Sequence, residues 1–232
     1  MAVLLTAIFY ICTKHSPMKK VGLFIALFAI PILAYLFFST GVNIFRTLPI
    51  TNENVPELPA NWTTADGERI QMKDKITVLG FIGDLTFENK SNMTNVSQEI
   101  YQKNKRYMDL QVVYVVPENL KADVDDYLET LSRTTELPSW HYLFATPEEI
   151  TQYYTQLNLD ISLQESNTPY VFIIDKDLRL RSRMEEIEHQ QSLHGYLTSE
   201  PIEILHNEME DDLKVVLAEY RLATKKNYQT EE

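Results

Sequence analysis

Hydrophobic positions along this chain follow two patterns, one continuous and one interrupted. No charged side chain occurs from residue 21 to residue 42, and nearly every position up to 38 is apolar. An apolar helix of this length crosses the ~30 Å hydrocarbon layer of a bilayer. Lys19 and Lys20 precede the run, and basic residues mark the cytoplasmic flank of a span. The pattern predicts a single transmembrane anchor at 18–42, with the rest of the chain on the extracytoplasmic side of the plasma membrane.

Residues 1–17 are expected to be a short N-terminal extension. Their apolar run at 2–12 is too short to span a bilayer. Met18, followed by two lysines and an apolar core, resembles a natural protein start, so the extension is either a misassigned start or a segment lying at the membrane. A cleaved signal peptide is the alternative to an uncleaved anchor, but a small-x-small cleavage pattern is hard to find beside Phe37 and Phe38.

After residue 42 the apolar run gives way to short periodic segments. Three prolines within 43–62 indicate an extended tether, which leaves 63–232 as one domain. The turn signal Asp66-Gly67 predicts a hairpin between strands at 69–70 and 75–82.

Further strands and helices follow in alternation. Buried strands are expected at 110–116 and 170–174, a short strand at 140–144, and a strand at 178–183 that pairs back after the turn at 175–177. Apolar residues at spacings of three and four predict helices at 92–106, 123–134, from Pro147 onward, and at 208–225. Strands that alternate with helices indicate an α/β fold with a mixed central sheet flanked by helices.

Charge and cysteine content exclude several functions. Residues 43–232 carry 18 lysines and arginines against 33 acidic residues, a net charge of −15. Nucleic acid and anionic membrane surfaces both require a positive face, so neither is expected as a partner of this part. The only cysteine is Cys12, which lies before the apolar run. Thiol redox chemistry by the domain is therefore excluded, because thiol–disulfide exchange needs a thiolate.

The anchor, Leu48-Pro49, Asp66-Gly67 and the strand at 78–81 together resemble the Sco/SenC copper chaperones, thioredoxin-fold proteins that help assemble cytochrome oxidase. Members of that family carry a C-x-x-x-C motif after this strand. Its two cysteines fall on Asp84 and Glu88 of this chain. The region of the family's copper-binding histidine, 166–169, contains no histidine here. The resemblance thus implies a thioredoxin-like fold that lacks the family's redox and copper ligands.

A second resemblance concerns the late strand. The segment 168–175, TPYVFIID, is similar to the corresponding strand of membrane-tethered thiol oxidoreductases of the thioredoxin class. That likeness implies a cis bond between Thr168 and Pro169, with the proline facing residues 83–85. The whole chain also resembles uncharacterised, membrane-anchored bacterial proteins.

Asp84 and Glu88 are the side chains that could support metal binding or catalysis in place of the missing cysteines. Two carboxylates four residues apart could bind a hard divalent cation or act as an acid/base pair. The alternative is that they cap and solvate the start of a helix, where negative charge is favourable. No two histidines have zinc-ligand spacing. We therefore assign no catalytic, cofactor-binding or metal-binding residue and expect no cofactor and no enzymatic activity.

The expected function is a non-catalytic, membrane-anchored binding or scaffolding module, an accessory to respiratory or envelope assembly. Its partners would be the membrane, through the N-terminal helix, and a protein in or near that membrane. The candidate partner-binding residues are Asp84, Leu85, Phe87, Glu88 and Pro169. The alternative is a metal carrier or enzyme that uses Asp84 and Glu88 as ligands, as in a diverged Sco-type copper chaperone.

Overall fold

The apolar run at the start of the chain forms a helix, α1, at Pro17–Ser39. The structure is a computed structural model that describes residues 17–39, 47–133, 136–183, 194–199 and 203–230. The chain divides into two units, Met1–Phe45 and Arg46–Glu232. Large apolar side chains of α1 are exposed, as Phe28 and Leu33 illustrate. Within the described residues, no helix is both long enough and apolar enough to cross a membrane, so the anchor predicted at 18–42 is not shown.

The described residues of the second unit form one mixed sheet of seven strands. The strands are β1 (Ile50–Asn52), β2 (Ile76–Phe81), β3 (Leu110–Pro117), β4 (Trp140–Ala145), β5 (Tyr170–Ile174), β6 (Leu180–Arg181) and β7 (Tyr196–Leu197). Their order is β1-β6-β5-β2-β3-β4, and β7 pairs with β5. The strands β2, β3 and β4 run parallel, whereas β5 is antiparallel to β2. The mixed α/β sheet predicted from the alternating pattern is confirmed.

The described residues of this unit form four helices and a single 3-10 turn at Glu118–Leu120 that leads into the second of them. Helix α2 begins at Phe87–Asn95, passes through a π-helical stretch at Val96–Tyr101 and ends with Gln102–Asn104. Helix α3 is Lys121–Ser132, α4 is Pro147–Gln156, and α5 joins a π-helical start at Ile204–Met209 to Glu210–Thr230. Helix α4 begins as its sequence predicts, because Thr146 and Glu149 form a reciprocal capping box in front of Pro147.

Apolar side chains are buried on both faces of the sheet. On one face Val78 and Val112 pack with the inner sides of α2 and α5. On the other face Leu79 and Val113 pack with α4. A parallel strand covered on both faces has no polar side, which explains why β2 and β3 are buried along their whole length.

The segment predicted as a tether, 43–62, differs from that expectation. From Leu48 onward it packs into the domain, with β1 in the sheet and Val55, Leu58 and Trp62 in the core. The prolines do break regular structure there, but apolar residues spaced between them reach the core. The domain therefore begins well before residue 63.

The prediction of an early hairpin was correct for the turn and wrong for its first strand, 69–70. Asp66-Gly67 does form a turn, with Gly67 at a φ of +81° and its N–H donating to the Thr64 carbonyl over 3.0 Å. Residues 69–70 form no strand, because β2 is already hydrogen-bonded along one edge to β3 and along the other to β5, so neither edge is open to them. Met72 instead contributes to the core as a loop residue.

Candidate functional site

The candidate site lies on the loop that joins β2 to α2. Strand β2 ends at Phe81 and α2 begins at Phe87. Because β2 lies between β3 and β5, this loop leaves the sheet from an interior strand. Four of the predicted partner-binding residues lie on it or on the first turn of α2, namely Asp84, Leu85, Phe87 and Glu88, and we call them the helix-start surface.

Asp84 organises the start of α2. Its Oδ1 accepts hydrogen bonds from the Thr86 N–H over 3.1 Å and from Asn89 Nδ2 over 2.6 Å. Thr86 is the N-cap, and its hydroxyl accepts from the Asn89 N–H. These bonds satisfy donors that have no partner within the helix. Asp84 therefore holds the residue that caps the helix, and that residue, Thr86, is an N-cap that the sequence pattern did not single out.

The same hydrogen bonds control the charge of Asp84. Burial raises the pKa of this carboxyl, but the bonds from Thr86 and Asn89 outweigh that effect and hold the pKa below its ordinary value. Asp84 is thus an anion at neutral pH. Glu88 lies on the exposed first turn of α2, where a negative charge is favourable. Among the described residues no group of three or more His, Cys, Asp or Glu could hold a metal ion.

Leu85 and Phe87 differ sharply although they are two residues apart. Leu85 is half-buried and packs against the core. Phe87 is 90% exposed. A fully exposed phenylalanine loses the free energy that its burial would supply, about 1.5–3 kcal/mol. It is the member of the helix-start surface that has most to gain from a partner.

Gly83 is fixed by a turn from another part of the chain. A Cβ at this position would lie 2.0 Å from the carbonyl oxygen of Glu165 and 3.0 Å from the Cβ of Asn167. The turn is tight, and Glu165 and Ser166 both have positive φ values, 49° and 62°. Residues without glycine's freedom rarely adopt that conformation, and each costs of order 1 kcal/mol or more. The turn therefore covers the loop directly before Asp84.

Pro169, the fifth predicted partner-binding residue, follows this turn directly after Thr168. The Thr168 N–H donates to the Phe81 carbonyl over 3.2 Å, and the Gly83 N–H donates to Asn167 Oδ1 over 3.4 Å. The Pro169 carbonyl itself accepts from Thr198. The segment before the proline thus contacts the end of β2 and Gly83. That Pro169 itself faces residues 83–85, and that its bond to Thr168 is cis, stay predictions.

A groove of about 770 Å³ opens between α2 and α3 next to this surface. Leu85, Phe87, Lys90 and Thr94 line it from the α2 side, and Asp123, Asp126 and Tyr127 from the α3 side. We call it the α2–α3 groove. Leu85 and Phe87 belong both to the groove and to the helix-start surface, so the two features are continuous.

Sequence reasoning missed a cluster of buried charges, the buried ion network of Asp175, Arg181 and Glu219. The side chain of Arg181 is 3% exposed and that of Asp175 is fully buried, and Arg181 Nη1 lies 2.9 Å from Asp175 Oδ2. Arg181 Nη2 donates to both carboxylate oxygens of Glu219, over 2.9 and 2.7 Å. The sequence carries no signal for this network, because residues 178–183 read LRLRSR and Arg181 occupies a polar position of an alternating pattern. These groups are fully partnered, so they contribute to structure rather than to a site.

Solved structures provide the comparison with known proteins. BsSco, a member of the Sco family of cytochrome c oxidase assembly proteins, superposes with a TM-score of 0.51 and 11% identity, over 73% of this chain and 96% of that chain. A SCO1/SenC family lipoprotein from Bacillus anthracis str. Ames gives a TM-score of 0.50 and 15% identity, over 72% of this chain and 98% of its own. No protein-family model matches the chain, and no curated protein matches it.

These likenesses establish the class of fold. The sheet and its helices form a thioredoxin-like α/β fold of the kind found in Sco proteins. The resemblance stated from the sequence is therefore confirmed at the level of structure. The full sequence contains one cysteine, Cys12, so the domain has this fold without the cysteines on which thiol chemistry depends.

Proposed function

We propose that this chain is a non-catalytic, membrane-anchored module that binds another protein through the helix-start surface. The observation that carries the proposal is Phe87, a large aromatic side chain that is 90% exposed at the start of α2. It lies in the loop region where the resemblance to Sco proteins places reactive cysteines, and here a capped loop without cysteine stands in that position. A domain that retains this fold but not its reactive groups retains a surface for recognition.

The capping bonds support recognition rather than catalysis. Asp84 is engaged by Thr86 and Asn89, so its Oδ1 is already used to hold the loop. A rigid loop presents Phe87 in one position and lowers the entropy that binding would otherwise cost. Leu85 adds apolar area beside it, and Glu88 adds negative charge.

The proposal includes attachment to the plasma membrane through residues 18–42, with the domain on the extracytoplasmic side. The charge-free stretch at 21–42 and the two lysines before it support this location and orientation. A tethered domain meets partners in the same membrane at raised effective concentration. A weak surface centred on one aromatic side chain is then sufficient for function. BsSco belongs to a family of cytochrome c oxidase assembly proteins, and we extend an accessory role in respiratory or envelope assembly to this chain.

Crosslinking in native membranes tests the binding surface. Full-length chain and its Phe87→Asp variant are crosslinked in place, and captured proteins are identified by mass spectrometry. We expect a discrete partner for the wild type and its loss in the variant. Met108→Asp is the matched control, because Met108 is 86% exposed and lies just before β3, at the opposite end of the parallel strands from the helix-start surface. Equal crosslinks in wild type and Phe87→Asp would refute the proposed surface.

A protease experiment tests the membrane topology separately. Protease added outside intact spheroplasts should digest the domain while leaving a cytoplasmic marker intact. Protection of the domain until the spheroplasts are lysed would refute the proposed topology.

A further inference from the structure

The α2–α3 groove is preformed at its floor. The Tyr127 hydroxyl donates to the Lys90 carbonyl over 3.1 Å and lies 3.1 Å from Thr94 Oγ1, which itself donates to the Lys90 carbonyl over 2.8 Å. Burial raises the pKa of Tyr127, so the hydroxyl stays neutral and keeps these bonds. The two helices are thus joined across the groove by satisfied polar groups, and a ligand would not have to rearrange them.

The rim of the groove carries opposite properties at its two ends. Leu85 and Phe87 form an apolar end on the α2 side. On the α3 side Asp123 and Asp126 are exposed, and neither carboxylate has an ion-pair partner in the part of the chain that the structure describes. Lys90 is the one cation among the groove's lining residues, so the rim is net negative.

We infer that the α2–α3 groove receives a basic segment of the partner protein, one that carries an apolar side chain next to lysine or arginine. The inference rests on the proposed function and names the chemistry of its partner. The apolar side chain would pack on Leu85 and Phe87, and the cation would lie opposite Asp123 and Asp126. A lysine or arginine can also stack on an exposed aromatic ring such as Phe87.

Charge decides against the other occupants. A second copy of this chain would bring another domain whose residues 43–232 carry a net charge of −15, and like charges that meet across an interface are unfavourable. An anionic lipid surface is repelled for the same reason. A basic protein segment gains from the rim carboxylates and from the apolar end together.

Peptide binding to the purified full-length chain tests the inference. The probe is a fluorescent 12-residue peptide of lysine and leucine, and the two controls replace its lysines by glutamate or its leucines by serine. We expect saturable binding of the lysine–leucine peptide, measured by anisotropy, with weaker binding at high salt and none of the glutamate control. Equal binding of the serine control would overturn the role of the apolar end.

Variants connect the binding to the groove. Asp123→Asn with Asp126→Asn should weaken binding about 2- to 30-fold, the range for losing two exposed charge pairs. The matched control is Asp125→Asn, since Asp125 is exposed on the same helix and does not line the groove. Phe87→Ser should also weaken binding, whereas Met108→Ser should not. An equal effect of Asp125→Asn and Asp126→Asn would show non-specific charge attraction and overturn the inference.

The same variants separate this inference from the proposed function. If Phe87→Asp abolishes the crosslinks in native membranes and Asp123→Asn with Asp126→Asn leaves them unchanged, the surface binds a partner that is not basic, and only the inference fails. If neither set of variants changes the crosslinks, both fail. A dimer in sedimentation that disappears with Phe87→Ser would identify a second copy as the occupant and overturn the inference.

Discussion

The buried ion network and the helix-start surface invert the usual places of charged and apolar side chains. In the network, Arg181 is enclosed with its side chain 3% exposed, yet every charge has a partner. At the helix start, Phe87 is apolar and 90% exposed, and no part of the described domain covers it. Both arrangements are costly in isolation, because buried charges lose hydration and exposed aromatic rings remain in water.

The difference between the two regions lies in how the cost is offset. The network offsets it within the molecule, through hydrogen bonds that leave no group free to bind anything else. The helix-start surface has no internal compensation for Phe87. Where contacts inside the fold offset the unfavourable free energy of a side chain, that side chain contributes to stability. Where no such contact exists, as for Phe87, we interpret the side chain as a recognition residue. The following substitutions test that distinction on one scale, the free energy of unfolding.

Breaking the network should have the largest effect. Arg181→Met removes one of the two arginines that pair with the fully buried carboxylate of Asp175 and leaves Glu219 without its ion-pair partner, whereas Arg179 still contacts Asp175. Removal of one member of a buried pair costs about 3–5 kcal/mol, and the remaining pair of Arg179 with Asp175 places the expected loss near the lower figure. Urea denaturation of the purified chain measures the loss. Lys73→Met is the control, because Lys73 and Asp177 form an ion pair with both side chains about half exposed, 51% and 52%, and such pairs contribute about 0–1 kcal/mol. Equal losses for the two variants would show that the network does not support the fold.

Filling the space at Gly83 should have the next largest effect. The added methyl group of Gly83→Ala would lie 2.0 Å from the Glu165 carbonyl oxygen, so the turn or the loop must shift. Overpacking of this kind costs about 1–3 kcal/mol. Gly67→Asn is the comparison, because nothing lies within 4 Å of a Cβ there and asparagine tolerates its positive φ. A Gly83→Ala variant as stable as wild type would contradict the close contact with the turn.

Removing the charge of Asp84 should have a smaller, pH-dependent effect. At pH 7 Asp84→Asn should lose about 0.3–1 kcal/mol, the range for a negative charge near a helix N-terminus, because the asparagine oxygen can still accept the bonds and only the charge is removed. The pKa of Asp84 is lowered on folding, so its contribution is present above the unfolded value of about 3.9 and disappears as the pH falls through the folded value. The stability difference between wild type and variant should therefore shrink in acid.

Glu88→Gln is the control for that measurement. It removes the same charge from the same surface, but Glu88 accepts no hydrogen bond from the residues that the structure describes. Its stability at pH 7 should stay within about 0.5 kcal/mol of wild type. A constant difference between Asp84→Asn and wild type down to pH 2 would contradict the role of the carboxylate as a stabilising charge at the helix start.

Changing Phe87 should have the smallest effect on stability. Phe87→Ser alters a side chain that is 90% exposed, so the free energy of unfolding should move by no more than about 0.5 kcal/mol. Leu85→Ser should cost more, because Leu85 packs against the core. If Phe87→Ser destabilised the chain as much as Leu85→Ser, Phe87 would be a structural residue. The contrast between the buried ion network and the helix-start surface would then not hold.

The sheet was the most predictable part of the molecule. Strands β3 and β5 were located to within one residue because both are continuous apolar runs between breaks. The start of α2 was predicted five residues late, at 92 instead of Phe87, because the first turn of the helix is polar and shows no apolar spacing. β1 was missed because it is short and lies among prolines.

The loop that carries the candidate residues could be located from the sequence, but the burial of its side chains could not be predicted. Leu85 and Phe87 look alike in a sequence, and only the packing of the core shows that one is half-buried and the other exposed. The bonds of Arg181 connect residues 6, 38 and 133 positions apart in the chain. No local pattern carries such information, because the contacts exist only after the sheet has formed.

The network also fixes one point of the main chain, and this has a mechanical consequence. The Leu48 carbonyl accepts from Arg181 Nε and Nη2 over 3.0 and 2.6 Å, and the Leu48 N–H donates to Glu219 Oε1 over 3.0 Å. A pulling force applied to the chain before Leu48 would load these three bonds together. It would be transmitted through Glu219 to α5, whose apolar side packs in the core, so β1 would be shielded from being peeled off the sheet one bond at a time.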